Sequence, residues 1–541
     1  MTETPTSSRT YTPQDVDVKC PVCGYIQNKK QDVVFGNEPV NCIRQSCGVQ
    51  IVPGATDSEF SVRTFRLNHH QSLCIFPFAF GKYEQSSQDS FSKLRDSKRW
   101  EQIKYNSDDP KDIERTEYFL PYARRFLFPS LYDGAGSDKD SQKEPSCQHF
   151  RFDMSYLGGQ KKQPLPFVLS CQDDRKKATF SYDMELSDIR LSVFNYHVGF
   201  LIFKIENSGH RATYFDQMNA AIYFRLIAPL YPEFSMPRFA IKDDAIEMAQ
   251  LLPFLLEEFD SKPSKKKHPK DYPTHQPKHM WLPVKPFYDD RMMAYTFSCI
   301  QSHTILEDVE QSERLLGKHS LINFSPDKRE KTHFDDQDYD PKQWVQRRWW
   351  GFSKEGGALA VFDSNRFHEK FIGNYFNTYY YDIFLLAAMQ RVTLLLLFER
   401  LSDIPSLTTK GGESSRILRR LRKDLLLFKN QSWFSQLTNR ERGLELWSYW
   451  QDVFDNRLLL QEVNEQSQEL DMYLQSLSRE RLDWVVRLGG FLATAVPAVL
   501  GLPVLFGKAS WVLTTQWVLL ALLILGTGIF ALRIFNQDND D

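Results

Sequence analysis

Four cysteines near the start of the chain carry the most specific chemistry in the sequence. Cys20 and Cys23 stand in CPVCG, and Cys42 and Cys47 in CIRQSCG, giving the spacing C-x2-C-x18-C-x4-C. Two thiolates on a tight turn hold one side of a tetrahedral Zn2+, and a second such turn completes it. Pro21 and Gly24 shape the first turn. With all four positions filled by protein, no open coordination site is left for hydrolysis, so the expected metal is structural. Two disulfides or unligated thiols are the alternatives. A reducing compartment argues against the disulfides. The opening MTETPTSSRTYTPQD has neither a basic n-region nor an apolar h-region, which leads us to expect a cytoplasmic start.

No comparable signal for catalysis is found elsewhere. The phosphate-cradling G-x-x-x-x-G-K-[ST], the dinucleotide G-x-G-x-x-G, H-E-x-x-H and G-x-S-x-G are all missing from the sequence. His69-His70, the Cys147/His149 pair and the acidic run Asp335, Asp336, Asp338 and Asp340 have ligand chemistry, but isolated pairs and solvated acidic loops are the ordinary reading. An enzyme is therefore the weaker class. Nucleic acid is also a weak expectation. Lys19, Lys29, Lys30 and Arg44 near the cysteines are offset by Asp15, Asp17, Asp32 and Glu38, and the whole chain carries a net charge of −2.

The far end of the chain has a different chemistry. Residues 488–507, LGGFLATAVPAVLGLPVLFG, contain no ionisable group, and 511–532 contain Gln516 as their one strongly polar residue. At helical rise each run is about 30 Å long, the thickness of the hydrocarbon layer. The turn between them is too short to cross back, so both outer ends lie on one side. Arg479, Arg481, Arg487 and Arg533 flank the pair, while Lys508 is the lone charge in the turn. The positive-inside rule then places both termini in the cytoplasm, and the expected location is the cell inner (plasma) membrane. Trp484, Trp511 and Trp517 sit near the run ends, where amphipathic rings prefer to lie.

Leading into this hairpin, residues 444–488 hold no proline and no glycine before the end of the run. Two heptad rows run through them: 446, 453, 460, 467, 474, 481, 488 and 449, 456, 463, 470, 477, 484, 491. Eleven of these fourteen positions are apolar. That periodicity predicts one long helix, about 65 Å, with a seam against other helices, or else an amphipathic helix packed on its own domain. Residues 379–401 are apolar but interrupted by Gln390 and Arg391, which predicts a buried core helix rather than a third span. Residues 415–434 alternate basic and apolar residues at helical spacing and read as a packed helix with a solvated basic face. Upstream, runs such as 72–81, 166–171 and 178–186 predict a mixed or antiparallel sheet.

This order resembles the CorA-like magnesium-transporter family: a large cytoplasmic domain, helices, a long helix feeding the first span, a tight turn and a second span. The resemblance covers about 370–541. More weakly, SDIRLSVFNYHVGFLIFKIEN (187–207) and YFDQMNAAIYF (214–224) are similar to a strand pair and helix of that family's cytoplasmic domain. The resemblance implies a homopentamer whose first span lines a pore for Mg2+ or another ion. The family's Gly-Met-Asn tripeptide is replaced here by Phe506-Gly507-Lys508, so relaxed selectivity is expected. Candidate pore-lining residues are Phe491, Thr494, Leu500, Leu505 and Lys508, with Arg481 and Arg487 at the cytoplasmic mouth. The amino-terminal cysteine pattern likewise resembles a zinc ribbon.

The expected fold is an α+β cytoplasmic domain followed by a long stalk helix and a two-helix transmembrane hairpin, with a small amino-terminal zinc ribbon. Its divisions are 1–57 (zinc ribbon), 58–373 (α/β domain), 374–487 (helical region), 488–535 (hairpin) and 536–541 (tail). The expected function is a membrane ion channel or transporter, including an effector pore gated by a ligand or protein partner. The alternative is a membrane-anchored binding or scaffold protein whose hairpin is only an anchor. The expected partners are the lipid bilayer and further copies of the chain.

Overall fold

The computed structural model describes the strands within residues 15–51, most of residues 67–473, and helical positions 475–476, 486–487, 490 and 518. The chain divides into two compact units. One comprises Met1–Val392 and Phe434–Phe454; the other comprises Thr393–Trp433 and Asp455–Asp541.

In the first unit, β1 (Asp15–Lys19) pairs antiparallel with β2 (Ile26–Lys30), and β3 (Val40–Asn41) with β4 (Gln50–Ile51). In sequence, Cys20 and Cys23 fall between β1 and β2, and Cys42 and Cys47 between β3 and β4. The four cysteines themselves lie outside the described residues.

The body of this unit is a 13-stranded sheet. Its strands are β5 (Leu67–Ala79), β6 (Trp100–Gln102), β7 (Cys147–Phe152), β8 (Leu165–Asp173), β9 (Ala178–Phe194), β10 (Val198–Asn207), β11 (Arg238–Ile241), β12 (Asp244–Glu247), β13 (Lys285–Pro286), β14 (Met293–Ile300), β15 (Lys342–Val345), β16 (Arg348–Ser353) and β17 (Gly356–Val361). The main path runs β12-β11-β8-β9-β10-β5-β14-β17-β16-β15, with β7 added beside β9 and β6 beside β7. Every described pairing in it is antiparallel except β14 with β17. The sequence reading of a mixed or antiparallel sheet therefore agrees with the fold, and the 187–207 strand pair is the β9–β10 hairpin, followed by a helix at Tyr214–Phe224.

β9 is long enough to serve two neighbours. Its first half pairs with β8 and its last residues, from Arg190 on, pair with β7. Between those halves the register with β10 shifts: Lys204 faces Asp188, but Ile205 faces Leu186. A one-residue bulge flips which side chains face the core. The burial pattern follows it, because Met184 and Leu186 enter the main hydrophobic cluster before the bulge, and Ile189, Leu191 and Val193 enter it after. Asp188, Arg190 and Ser192 are thereby turned to the opposite face of the sheet.

Short helices border the sheet: α1 (Ser87–Asp96), α2 (Pro110–Glu117), α3 (Pro121–Leu127), α4 (Tyr214–Phe224) and α5 (Met248–Leu255). Asp109 caps α2 by accepting the Lys111 N–H, and Pro110 follows in the first helical turn, where its missing donor is harmless. After the sheet come two π-helical turns, His368–Ile372 and Phe376–Tyr380, and then α6 (Tyr381–Asp403). Among the described residues, Lys370–Asp403 is the one helix long and apolar enough to cross a bilayer by length and composition. Its most apolar window is 83% buried inside the protein. Tyr295 of β14 stacks on Phe376 and Phe384 at 4.2 and 4.8 Å between ring centres, and Trp450 meets Phe384 edge-on at 4.8 Å. The polar pair that interrupts α6 finds partners there: Gln390 accepts from Gln451 Nε2 at 2.8 Å, and Arg391 donates to the Phe454 carbonyl.

α8 (Glu441–Val453) ends where an unbroken helix over 444–488 was expected. Asp455 has φ 52°, a left-handed conformation, and a new helix runs over 456–473. The cause is tertiary. Phe454 stacks at 5.1 Å on Trp450, and its carbonyl is taken by Arg391 instead of continuing the helical ladder.

In the second unit, α7 (Gly411–Gln431) buries Leu418, Leu421, Leu425 and Phe428 and turns Arg416, Arg419, Arg420 and Lys423 outward, as its sequence pattern predicts. On helix 456–473 the heptad positions Asn456, Val463 and Ser467 are buried and Leu460 and Leu470 half-buried. Arg422 pairs with Asp471 at 2.6 Å and Gln466 donates to Ser402 at 3.2 Å. This stretch of the seam is thus packed within its own unit.

Candidate ligand-binding pocket

The bulge in β9 builds a polar surface in the first unit. Register places His149 opposite Ser192 and Arg151 opposite Arg190 on β7 and β9, and Lys204 opposite Asp188 on β10. Like charges directly across a strand pair are destabilising. Asp188 offsets the repulsion by bridging both arginines, 2.7 Å from Arg190 Nε and 3.2 Å from Arg151 Nε. Burial pulls the Arg190 guanidinium's pKa down, but Asp188 more than offsets this, and it stays raised. Lys204 pairs with Glu206 at 2.9 Å.

A second wall comes from α2 and the start of α6. Arg115 makes a two-pronged contact with Asp382, 2.7 and 2.5 Å, and its guanidinium lies 5.4 Å from the Tyr105 ring centre and 5.6 Å from that of Phe128. Burial lowers its pKa and Asp382 more than restores it, leaving the cation firmly charged. Tyr105 is buried, which pushes its hydroxyl up to about 12, so it stays protonated.

The third wall is the π-helical turn Phe376–Tyr380 together with Asn374. Thr378 has non-helical dihedrals, φ −112° and ψ −106°, inside that turn. Such turns widen a helix and recur at functional sites. Asn377 donates from Nδ2 to Gln71 Oε1 at 2.7 Å and to the Gly373 carbonyl at 3.0 Å. These two acceptors fix the amide's orientation, and its Oδ1 is buried without a hydrogen-bond partner.

Together these walls enclose about 310 Å3, lined by Ile103, Tyr105, Arg115, His149, Arg151 and Arg190 along with Ser192, Lys204, Asn374, Asn377, Thr378 and Tyr381. His149 is neutral: burial lowers its pKa to about 4. Its ring nitrogens lie 2.8 Å from Ser192 Oγ and 3.0 Å from the Leu127 carbonyl, with Cys147 Sγ at 3.3 Å. The sequence pair Cys147/His149 is therefore in contact but is held by protein partners. His70 is buried with its pKa lowered to about 3, chiefly by desolvation. No group of three or more metal-ligating side chains occurs among the described residues.

The sequence-derived site residues do not come together here. Cys20, Cys23, Cys42, Cys47, Arg481, Phe491, Thr494, Leu500, Leu505 and Lys508 lie outside the described residues, as does the acidic run 335–340. Arg487 is helical and exposed. The pocket itself went unread in the sequence. Its trace is one basic residue in each of three apolar strands, Arg151, Arg190 and Lys204, visible only once the strands are aligned. No family model matches the chain, and no curated protein matches it either.

Proposed function

We propose that the chain is a subunit of a CorA-like homo-oligomeric membrane channel or transporter, a pentamer, whose large sheet unit is a cytoplasmic sensor. The single observation that carries this reading is the pair of uninterrupted apolar runs, 488–507 and 511–532, at the end of a helical unit. The described positions in and beside those runs, 486–487, 490 and 518, are helical, and Val486 and Val518 are 69% and 58% exposed. Exposed valines on helices fit a lipid-facing surface. The first run offers no carboxylate to replace the waters of a divalent cation, only the Thr494 hydroxyl and backbone carbonyls. Rings of Phe491, Leu500 or Leu505 would close such a pore by dewetting, and Lys508 at the outer turn disfavours cations, so the pore is shut at rest and poorly selective. In the amino-terminal unit, Cys20, Cys23, Cys42 and Cys47 hold a structural Zn2+. The two short hairpins β1–β2 and β3–β4, each flanking one cysteine pair in sequence, support that assignment.

A second reading, an anchored binding or scaffold protein, is favoured by the heptad residues of 456–473, which are covered within their own unit. One experiment separates the two. Purified protein in detergent is sized and then reconstituted into liposomes, and fluxes of magnesium, potassium and chloride are compared. A pentamer passing more than magnesium supports the relaxed pore. A monomer or dimer with no flux supports the anchor, and flux of magnesium alone sinks the relaxed selectivity.

A further inference from the structure

We propose that the pocket formed by β7, β9, β10, α2 and the π-helical turn is a binding site for a small molecule carrying a phosphate group. Four of its twelve lining residues are cations, Arg115, Arg151, Arg190 and Lys204, and none is a carboxylate. The acids that neutralise them, Asp188, Asp382 and Glu206, are not among the lining residues. The cations are thus held in place from behind while the cavity wall itself stays electropositive. Arg151 and Arg190 are a cross-strand like-charge pair, and a phosphate between them would add a second counter-charge to the one Asp188 supplies. A planar guanidinium fork pairs bidentately with phosphate as it does with carboxylate, and a phosphate has further oxygens left to meet a neighbouring cation.

Beyond the charge, the wall supplies hydroxyl and amide groups from Ser192, Asn374, Asn377 and Thr378. A volume of about 310 Å3 suits a phosphate joined to one sugar or one ring and leaves no room for a long chain. Sugar phosphates and mononucleotides share this chemistry with a phospholipid headgroup.

The test is calorimetric titration of the full-length protein in detergent with AMP, ribose 5-phosphate, inorganic phosphate, short-chain phosphatidic acid and, as an uncharged control, adenosine. The phosphorylated probes are expected to bind and adenosine to fail. Binding of AMP or ribose 5-phosphate in preference to phosphatidic acid identifies a soluble ligand; the reverse preference identifies the headgroup. Asn374 is exposed, so Asn374→Asp places a carboxylate at the pocket without disturbing the core. It is expected to weaken binding at least tenfold with an unchanged melting temperature, and Arg151→Gln to do the same. Absence of binding by every phosphorylated probe at millimolar concentration overturns the proposal, as does wild-type affinity in Asn374→Asp. Neither result depends on whether the protein conducts ions.

Discussion

Arg115 and His149 illustrate two ways of burying a basic side chain in one pocket. Arg115 keeps its charge because Asp382 meets it with two hydrogen bonds, whereas His149 gives up its charge to burial, which the more distant Asp382 carboxylate does not outweigh. The difference has a consequence for pH. In the unfolded chain a histidine titrates near 6.5, but burial lowers His149 to about 4 and His70 to about 3 in the folded protein. Between those values the unfolded state binds more protons, so stability falls as pH drops from about 6.5 toward 4, and is unaffected by these groups above 6.5. Urea unfolding followed across that range is expected to show the decline. His149→Gln, which cannot take up a proton, should make the slope shallower. An unchanged slope in that variant would show that His149 is accessible to protons in the fold.

Two elements depart from what their sequences alone predict, and both departures have tertiary causes. The apolar periodicity of 444–488 is real, but periodicity measures which face is apolar and not whether the backbone is continuous. The break at Asp455 is set by Arg391 and Trp450, which sequence cannot place beside Phe454. In the same way, the alternation of β9 changes phase at the bulge, so Arg190 looks like an ordinary solvent-facing position until β7 and β10 are aligned with it. What was legible was local: the apolar strand runs, the amphipathic stripe of α7, and the buried character of α6, whose Gln390 and Arg391 argued against a span. The break is also testable. Asp tolerates the left-handed region, whereas a β-branched residue there is strained by about 1–2 kcal/mol. Asp455→Val should lower unfolding stability by about that amount, while Asp455→Gly should leave it equal or slightly higher. Equal stability for both would mean that this position is not held left-handed in solution.

At the scale of the whole molecule, the chain combines two contrasting compositions in one sequence. Its 67 basic and 69 acidic residues nearly balance, and a quarter of all residues are charged, yet residues 488–507 hold no ionisable side chain at all. A helix buried in protein can find partners for occasional polar groups, as α6 does for Gln390 and Arg391; a helix facing lipid has no such partners and must omit them. The two long apolar segments of the chain therefore divide by this criterion. α6 carries its polar residues against α8 and the turn after it, and belongs to a protein core. The two carboxy-terminal runs carry almost none, which is the composition we propose for helices in a bilayer. This division predicts how the protein behaves in a membrane preparation. Alkaline carbonate, which strips proteins held by charge, is expected to leave the full chain in the membrane pellet. A chain ending at residue 487 keeps α6 and is expected in the supernatant. If that truncated chain stays in the pellet after carbonate, α6 is the membrane-embedded element and the assignment of the two apolar segments is reversed. If the full chain is released, neither segment spans the bilayer and the channel and anchor readings both fail.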